Sequence, residues 1–385
     1  MINIEIKGVQ FSNKGAELML IAVLQQLEQQ LADYQITLSP GKNLPYLNRA
    51  KLGAWQKLSF RRGNLDLTGL FGKFPSAVRR FLKRFGIVTE ADIDVILDAS
   101  GFSYGDQWPT RDIKNAVKEM KRFKQAGKLY IVLPQALGSF DKPDIRIEAE
   151  QFINAAHLIF PRDEKSYAAC SELSKIDNLQ QSPDFTASVT CPKPSYISEN
   201  VVCLVPNNKM VSKYHSDQAH HKESIYIDFW CYMIVFFAQK GFNVVLLNHE
   251  GKEDLSLCHK IQSQSSIETE LLDGLSALEV KGYLGQCQAV VSSRFHGCIS
   301  ALSQGVPCLA TSWSHKYEAL YKEYGLPENI LDFETPQKEL NIKLNQFATE
   351  LTNQKKKCLA HSLEVKKKNM HMWQTVFEEI EQVRQ

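Results

Sequence analysis

Apolar residues in the first half of the chain alternate between short runs of strand length and longer stretches with helical spacing. Residues 4–9 alternate in polarity as in a strand, and residues 14–31 repeat Leu or Ile every three or four positions, which is typical of a helix packed on one face. Three later apolar runs bounded by turn residues predict strands at 94–100, 129–135 and 157–163. Apolar strands separated by helices predict a parallel sheet covered on both faces.

A second series of the same kind follows in the other half of the chain. Its apolar runs predict four strands, at 201–206, 242–248, 289–293 and 308–312. The segments between these runs have the apolar spacing or the length of a helix. A glycine or proline stands where several of these helices should end. We therefore expect a second parallel sheet with helices on both faces.

The segment between the two series has the composition of a linker. Residues 183–200 contain three prolines and several small polar residues, which favours extended chain over a helix or strand. We therefore predict an α/β protein of two doubly wound, Rossmann-like domains facing a central crevice lined by the carboxyl ends of their strands. The predicted divisions are a first domain 1–182, the linker 183–200, a second domain 201–335 and a charged helical segment 336–385.

Composition narrows the class of protein. Of 385 residues, 44% are hydrophobic and 23% charged, and 45 basic residues nearly balance 43 acidic ones, so binding of nucleic acid over the whole surface is excluded. The longest apolar run, 229–238, is half the length of a membrane helix, and residues 1–9 do not resemble a signal peptide. We expect a cytoplasmic protein.

Nine cysteines without a CxxC motif predict reduced core residues rather than disulfides or metal ligands.

The strongest local signal is a turn between a strand and a helix in the second domain. The strand ends at Ser293, Arg294 and His296 occupy the turn, and Gly297 opens a helix, so both side chains lie at the edge where ligands bind. A guanidinium suits phosphate or carboxylate, and an imidazole transfers protons near neutral pH. The alternative is that Arg294 pairs with a buried carboxylate and His296 caps the helix. Lys316, just past the next strand, falls on the same edge.

Turns in the first domain carry weaker signals of the same type. Asn13 and Gly15 stand at the entry to the first helix, Gly101 and Gln135 follow two predicted strands, and Arg162 closes a third. All of them lie at carboxyl ends of strands, where backbone amides and side chains reach a ligand. Each one alone is equally well explained as a helix cap or a turn residue.

Taken in order, these turns resemble the polysaccharide pyruvyl transferase family, and the likeness extends from the first strand to about Gly325. The family's Asn-x-Gly turn, glycine turn, Gln and Gly, Arg-Asp with a later Ser, and Asp-containing turn are matched in order by NKG, DASGF, QALG, RDEKS and SPDFT. The most specific match is an Arg-x-His turn followed by Gly-Val-Pro and a Lys, reproduced by Arg294, His296, residues 305–307 and Lys316. Ala16, where many members have Asp, and the glycine-poor DASGF depart from the pattern.

The resemblance implies a GT-B-like architecture and a reaction. The family uses phosphoenolpyruvate as donor substrate, with no other cofactor and no metal site, to place a pyruvate ketal on two hydroxyls of a sugar in a polysaccharide or its lipid-linked precursor. It implies His296 as acid and base and Arg294 as a second catalytic residue. Arg294, Arg162 and Lys316 fit the carboxylate and phosphate of the donor. The implied substrate-binding residues are Asn13, Gly15, Gly101, Gln135, Arg162 and Lys316.

Two other functions fit the same architecture. The first is a nucleotide-sugar glycosyltransferase, which would need a nucleobase pocket and usually carboxylates for a ribose; the sequence shows no convincing set in the second domain. The other is a non-catalytic sugar-binding component of a polysaccharide assembly complex. Architecture alone does not choose among the three.

A basic segment at 49–86 is not explained by any of these functions. Between Arg49 and Arg84 the chain has ten basic residues and one acid, Asp66, with aromatic residues interleaved. Its later part, SAVRRFLKRF, has the pattern of a short amphipathic helix, which suits an anionic membrane surface. The segment is therefore either a peripheral membrane contact at the cytoplasmic face or a solvated basic insertion whose aromatic residues pack on the first domain.

Overall fold

The computed structural model describes most of the chain, namely residues 1–62, 65–174, 177–194, 198–212, 216–311 and 315–384. The chain divides into two compact units, each with its own parallel sheet. The first unit comprises residues 1–12, 19–185 and 368–385, and the second comprises residues 13–18 and 186–367. The division at 185/186 falls inside the segment predicted as a linker, and the last helix contributes residues to both units.

The two sheets and one small hairpin contain the strands of the described chain. These are β1 (Ile2–Lys7), β2 (Tyr34–Leu38), β3 (Trp55–Lys57), β4 (Arg61–Arg62), β5 (Leu65–Asp66), β6 (Ile87–Val88), β7 (Val95–Asp98), β8 (Leu129–Gln135), β9 (Leu158–Pro161), β10 (Val201–Val205), β11 (Asn243–Leu247), β12 (Glu270–Leu272), β13 (Ala289–Ser292), β14 (Cys308–Thr311) and β15 (Ile330–Leu331).

Helices connect the strands in both units. These are α1 (Lys14–Gln30), α2 (Tyr46–Lys51), α3 (Thr68–Phe71), α4 (Ser76–Lys83), α5 (Thr110–Gln125), α6 (Pro143–Ala155), α7 (Glu164–Ser171), α8 (Lys209–Ser212), α9 (Ser216–Gln239), α10 (Gly251–Gln264), α11 (Ala277–Leu284), α12 (Phe295–Leu302), α13 (His315–Glu323) and α14 (Gln337–Arg384).

The sheet of the first unit has seven parallel strands in the order β6-β3-β2-β1-β7-β8-β9. All seven residues of β8 are buried, as expected for a strand covered on both faces. The strand order reverses between β1 and β7, so the carboxyl ends of these two strands form the switch point at which α/β proteins bind ligands.

The sheet of the second unit has six parallel strands in the order β12-β11-β10-β13-β14-β15, with its switch point between β10 and β13. Alternate residues of β10 belong to different cores. Val201, Cys203 and Val205 pack with α11, α12 and α13, and Val202 and Leu204 pack with α9 and α10 on the other face. The predicted α/β class with doubly wound sheets is confirmed.

Five strands of these sheets were not predicted from the sequence, namely β2, β3, β6, β12 and β15. Four of the five are only two or three residues long, which is too short to show a period of two residues. Pairing with a neighbouring strand defines them. Residues 55–57 of the segment 49–86 form β3, which pairs with β2 and with the edge strand β6, so part of the segment belongs to the sheet of the first unit.

Lys57, at the end of β3, is buried between two carboxylates. Its ammonium lies 2.6 Å from Glu5 on β1 and 2.7 Å from Glu119 on α5, and Glu119 also binds Lys7. Burial alone would raise the pKa of Glu119, but the cations of Lys57, Lys7 and Arg61 lower it well below its usual range. The cluster therefore ties the sheet to α5, and Lys57 does not belong to an exposed basic surface.

Arg49 is the second basic residue of this segment that is buried. Its Nε donates to the carbonyl of Leu44 at 2.9 Å and its Nη1 to Gln56 at 3.1 Å. Arg49 and Lys57 are thus buried by local hydrogen bonds and strand pairing, and belong neither to a solvated basic insertion nor to a membrane contact.

Two expectations from composition can be compared with the structure. All nine cysteines are free thiols; seven are buried, which confirms the prediction of core residues for these seven, and the other two are half-buried. Within the described ranges, no helix is both long enough and apolar enough to cross a membrane.

Replacement of Lys57 by Met should destabilise the first unit. The variant leaves the buried Glu5 and Glu119 without their shared cation, and loss of one partner of a buried ion pair costs about 3–5 kcal/mol. Urea unfolding followed by circular dichroism measures the change. The matched control is Lys51→Met at an exposed position of α2. Equal unfolding free energies for the two variants would contradict the assigned role of the cluster.

Candidate functional site

Arg294 lies in the turn between β13 and α12 and binds two carboxylates of the second unit. Its Nε and Nη2 donate to Asp254 at 2.8 and 2.5 Å, and its Nη1 binds Glu250. The side chain is 10% exposed and that of Asp254 is 1% exposed. The structure therefore shows the ion pair with a buried carboxylate that the sequence left open as an alternative.

The backbone of the same turn is held by Ser292. Its hydroxyl accepts from the amide of Arg294 and donates to the carbonyl of Arg294, both at 3.0 Å. Gly297 lies so close that a Cβ there would press on the Ser292 hydroxyl. The helix α12 begins at Phe295, earlier than the expected Gly297, so His296 lies in its first turn. The turn before it is fixed by hydrogen bonds of the Arg294 backbone and guanidinium.

The imidazole of His296 packs directly against the first turn of α1. A Cβ at Gly15 would overlap the His296 ring at Nδ1, so a glycine is the residue that this close approach allows. The two turns that resemble family motifs, far apart in the chain, therefore contact each other in the second unit.

Asn13 has two roles at this contact. Its Oδ1 accepts from the amide of Ala16 at 3.1 Å, as a helix N-cap does. Its Nδ2 donates to Oε1 of Glu250 at 2.8 Å. Because Glu250 also binds Arg294, one carboxylate joins Asn13 to the turn before α12.

Sequence reasoning missed His249, which follows β11 at the same edge of the sheet. The side chain is buried, and its Nδ1 has no hydrogen-bond partner in the part of the chain that the structure describes. Burial, then the nearby charges of Arg294, His296 and Lys14, lower its pKa well below the usual range. The imidazole is therefore neutral at neutral pH. Its position directly after a predicted strand was the signal that could have identified it.

Lys316 lies near the same turn, at the start of α13. Its ammonium is 4.9 Å from the ring centroid of Phe295, and the Phe295 and His296 ring centroids are 5.6 Å apart. A cation over an aromatic face is stabilised by the charge distribution of the ring. The second unit thus brings together five of the predicted residues, namely Asn13, Gly15, Arg294, His296 and Lys316.

The other three predicted residues meet at the sheet edge of the first unit. The amide of Ala136 donates to the carbonyl of Gly101, and the amide of Arg162 donates to the carbonyl of Gln135, both at 3.0 Å. The turns after β7, β8 and β9 are therefore neighbours, as parallel pairing requires.

Two side chains of this group differ in their environment. Arg162 is buried and its Nη1 lies 3.0 Å from Oδ2 of Asp184, which is also buried. Gln135 is completely buried, and neither atom of its side-chain amide has a hydrogen-bond partner among the described residues. Buried amides are rarely left unsatisfied, so Gln135 is the residue of this group best suited to meet a ligand.

Comparison with known protein families gives a match whose range includes residues of both groups. The family model described as polysaccharide pyruvyl transferase matches residues 13–315. The chain belongs to the polysaccharide pyruvyl transferase family. The matched range begins at Asn13 and includes the contact between Gly15 and His296; Lys316 lies one residue beyond it.

Solved structures similar to this family member show its fold. UDP-GlcNAc 2-epimerase from Neisseria meningitidis, bound to UDP-GlcNAc, has 12% sequence identity and a TM-score of 0.60, with 98% of this chain and 100% of that chain covered. Anabaena Alr3699/HepE in complex with UDP-glucose has 11% identity and a TM-score of 0.55, with 99% and 100% covered. At these identities the likeness establishes a GT-B-like fold and no more.

The buried His249 should make the stability of the protein depend on pH. Its pKa is lower in the folded state than the unfolded value of about 6.5, so below that pH the unfolded chain binds more protons. The unfolding free energy should therefore fall by up to about 1.4 kcal/mol per pH unit below pH 6.5 because of this residue. Urea unfolding of the wild type and His249→Gln at several pH values should show a shallower decline in the variant.

The matched control for this measurement is His259→Gln, at an exposed position of the same segment, in α10. The result is read from the slope against pH, so a constant destabilisation by the substitution does not affect it. An unchanged slope for His249→Gln, or an equal change in the control, would contradict the assignment.

Proposed function

We propose that this protein transfers the pyruvyl group of phosphoenolpyruvate to two hydroxyls of a sugar, in a polysaccharide or its lipid-linked precursor. The proposal is supported by membership of the pyruvyl transferase family. The observation that carries it to particular residues is the packing of Gly15 against His296. This contact brings the Asn13–Gly15 turn to the carboxyl end of β13, at a sheet edge of the kind where α/β proteins bind ligands.

The chemistry defines what the site must supply. Protonation of the methylene carbon of phosphoenolpyruvate makes a methyl group and leaves positive charge on the neighbouring carbon. A sugar hydroxyl attacks that carbon and loses its proton, the bond from carbon to the phosphate oxygen breaks, and a second hydroxyl closes the cyclic ketal. Of the two hydroxyl protons lost, one balances the proton gained by the methylene carbon and the other leaves with phosphate. The reaction therefore needs an acid, a base and cations for the donor.

We assign the proton transfers to the two histidines of the second unit. His296, held at the start of α12, is the candidate acid for the methylene carbon. His249 is the candidate acceptor for a hydroxyl proton, because a buried imidazole that is neutral has a lone pair to accept one. The proximity of His296 contributes to lowering the pKa of His249, which supports a site that includes both imidazoles.

The cations divide into two kinds. Arg294 already binds Asp254 and Glu250, so we assign it to positioning the turn of His296 rather than to direct capture of an anion. Lys316 in the second unit is the candidate for binding carboxylate or phosphate, whereas Arg162 in the first unit pairs with the buried Asp184 and is assigned, like Arg294, to holding its own turn. The unsatisfied amide of Gln135 is a further candidate contact for a substrate oxygen.

The donor can be identified by direct assay. The protein is incubated with phosphoenolpyruvate and a panel of oligosaccharides, and phosphate release is measured together with the mass gain of one pyruvyl ketal. Parallel incubations contain UDP-GlcNAc or UDP-glucose, the ligands bound in the structural neighbours, with UDP release as the readout. Turnover of a UDP-sugar alone would support a glycosyltransferase, and no turnover with any donor would support a binding role.

Loss of the imidazole at position 296 should abolish most of the turnover. His296→Gln removes the proposed acid but keeps a polar side chain, and we expect kcat to fall by about 10²-fold or more. The comparison is made in the coupled phosphate-release assay with an acceptor that turns over. The control variant, His259→Gln, should keep the wild-type rate. Full activity of His296→Gln with phosphoenolpyruvate would refute the assignment.

Gly15→Ala adds a single methyl group and removes no polar group, yet it should also lower the rate of the proton transfer that we assign to His296. Alanine favours the helix intrinsically, but its Cβ would displace the His296 ring, and a displacement of about 1 Å can lower the rate by about 10²-fold. The matched control is Gly41→Ala, because a Cβ at Gly41 has no neighbouring atom within 4 Å. Equal kcat values for the two variants would show that the contact does not position His296.

A further inference from the structure

The helix α4 in the first unit has one face anchored to the rest of the unit. Arg79 and Lys83, one turn apart on this helix, lie 2.7 and 3.1 Å from Oδ1 of Asp92. The other oxygen of Asp92 accepts from the amide and hydroxyl of Thr89 at 3.0 and 2.7 Å. The carboxylate of Asp92 is thus held in place and determines which face of α4 points inward.

The opposite face of α4 and the turn after it combine apolar and cationic side chains. Phe81 is 57% exposed, Phe85 66% and Val78 42%, and the two phenyl rings pack edge to face with centroids 5.2 Å apart. Arg80 and Arg84 flank them and are exposed. We call these five residues the α4 surface.

The acids close to α4 in the sequence bind other basic residues: Asp92 binds Arg79 and Lys83, and Glu90 binds Arg122. Asp66 is the one acid between Arg49 and Arg84, and it binds Arg61 at 3.0 Å. Neither Arg80 nor Arg84 forms an ion pair within the described part of the chain. Large apolar side chains that are exposed to water and surrounded by cationic side chains are typical of a surface that docks on a partner.

We infer that the α4 surface docks on an anionic phospholipid bilayer, with α4 lying in the plane of the interface. Arg80 and Arg84 would pair with lipid phosphates, while Phe81, Phe85 and Val78 would enter the boundary between headgroups and acyl chains. A bilayer fits better than a soluble polyanion because it removes the phenyl rings from water and neutralises the arginines. The inference is independent of the proposed reaction.

The structure also selects the residues that test this inference. Arg79 and Lys83 are unsuitable, since their substitution would free Asp92 and disturb the helix itself. Arg80→Gln with Arg84→Gln removes two exposed charges, and Phe81→Ser removes one exposed ring. None of these residues belongs to the candidate functional site.

The experiment is sedimentation of the full-length protein with vesicles of phosphatidylcholine alone or of phosphatidylcholine mixed with phosphatidylglycerol. Binding should require phosphatidylglycerol and should fall steeply with added salt. The double Arg variant should bind the mixed vesicles about 30-fold more weakly, as expected for two cations near an anionic surface. Phe81→Ser should also weaken binding, about 10-fold or more, although the charge is unchanged.

Matched controls come from the same unit. Lys118→Gln with Arg146→Gln removes two exposed charges elsewhere, and Ile147→Ser removes an apolar side chain that is 60% exposed; both variants should bind as the wild type does. The inference is overturned if neutral and mixed vesicles sediment the protein equally, or if the controls weaken binding as much as the α4 variants. Wild-type binding by Phe81→Ser would also overturn it, because attraction by charge alone would then suffice.

Discussion

The ion pairs of Arg294 with Asp254 and Glu250 determine the arrangement of the candidate site in the second unit. A buried guanidinium and a buried carboxylate are each costly to remove from water, and each is tolerated because the other is present. These pairs connect α10 to the turn before α12, and Glu250 extends the connection to Asn13. Removal of Arg294 would therefore disturb the site even if the guanidinium never touched a substrate. Loss of activity in an Arg294 variant alone does not identify an anion-binding residue.

The packing of His296 against Gly15 depends on the same constraint. Parallel strands bring their carboxyl ends to one edge, so His249 after β11 and Arg294 after β13 lie at the same edge although they are distant in the chain. The edge then holds a neutral imidazole beside ion-paired groups: burial and nearby cations keep His249 neutral, and Arg294 lies between two carboxylates. Sites that combine a neutral imidazole with fixed charges are suited to proton transfer.

Fold and family provide different kinds of information about this protein. The GT-B-like architecture is shared with UDP-GlcNAc 2-epimerase at 12% identity, and an architecture of this kind accommodates many reactions. Family membership supports a pyruvyl transferase, and the packing of Gly15 against His296 brings together two motifs of the matched range. The identity of the donor and of the acceptor then depends on side chains at the sheet edges. The fold positions these side chains but does not determine which residues they are.

The sequence by itself determined the α/β class, the two series of strands and the turns that carry the candidate residues, because long apolar runs and helical spacing are local properties. It also identified Arg294 and His296 at a strand end. Only the tertiary structure decided that Arg294 is bound by carboxylates, that Lys57 is buried and that α4 exposes Phe81 while Arg79 faces inward. The physical reason is that burial and ion pairing depend on partners distant in the chain, such as Asp254 for Arg294 and Glu119 for Lys57, and no local pattern encodes them.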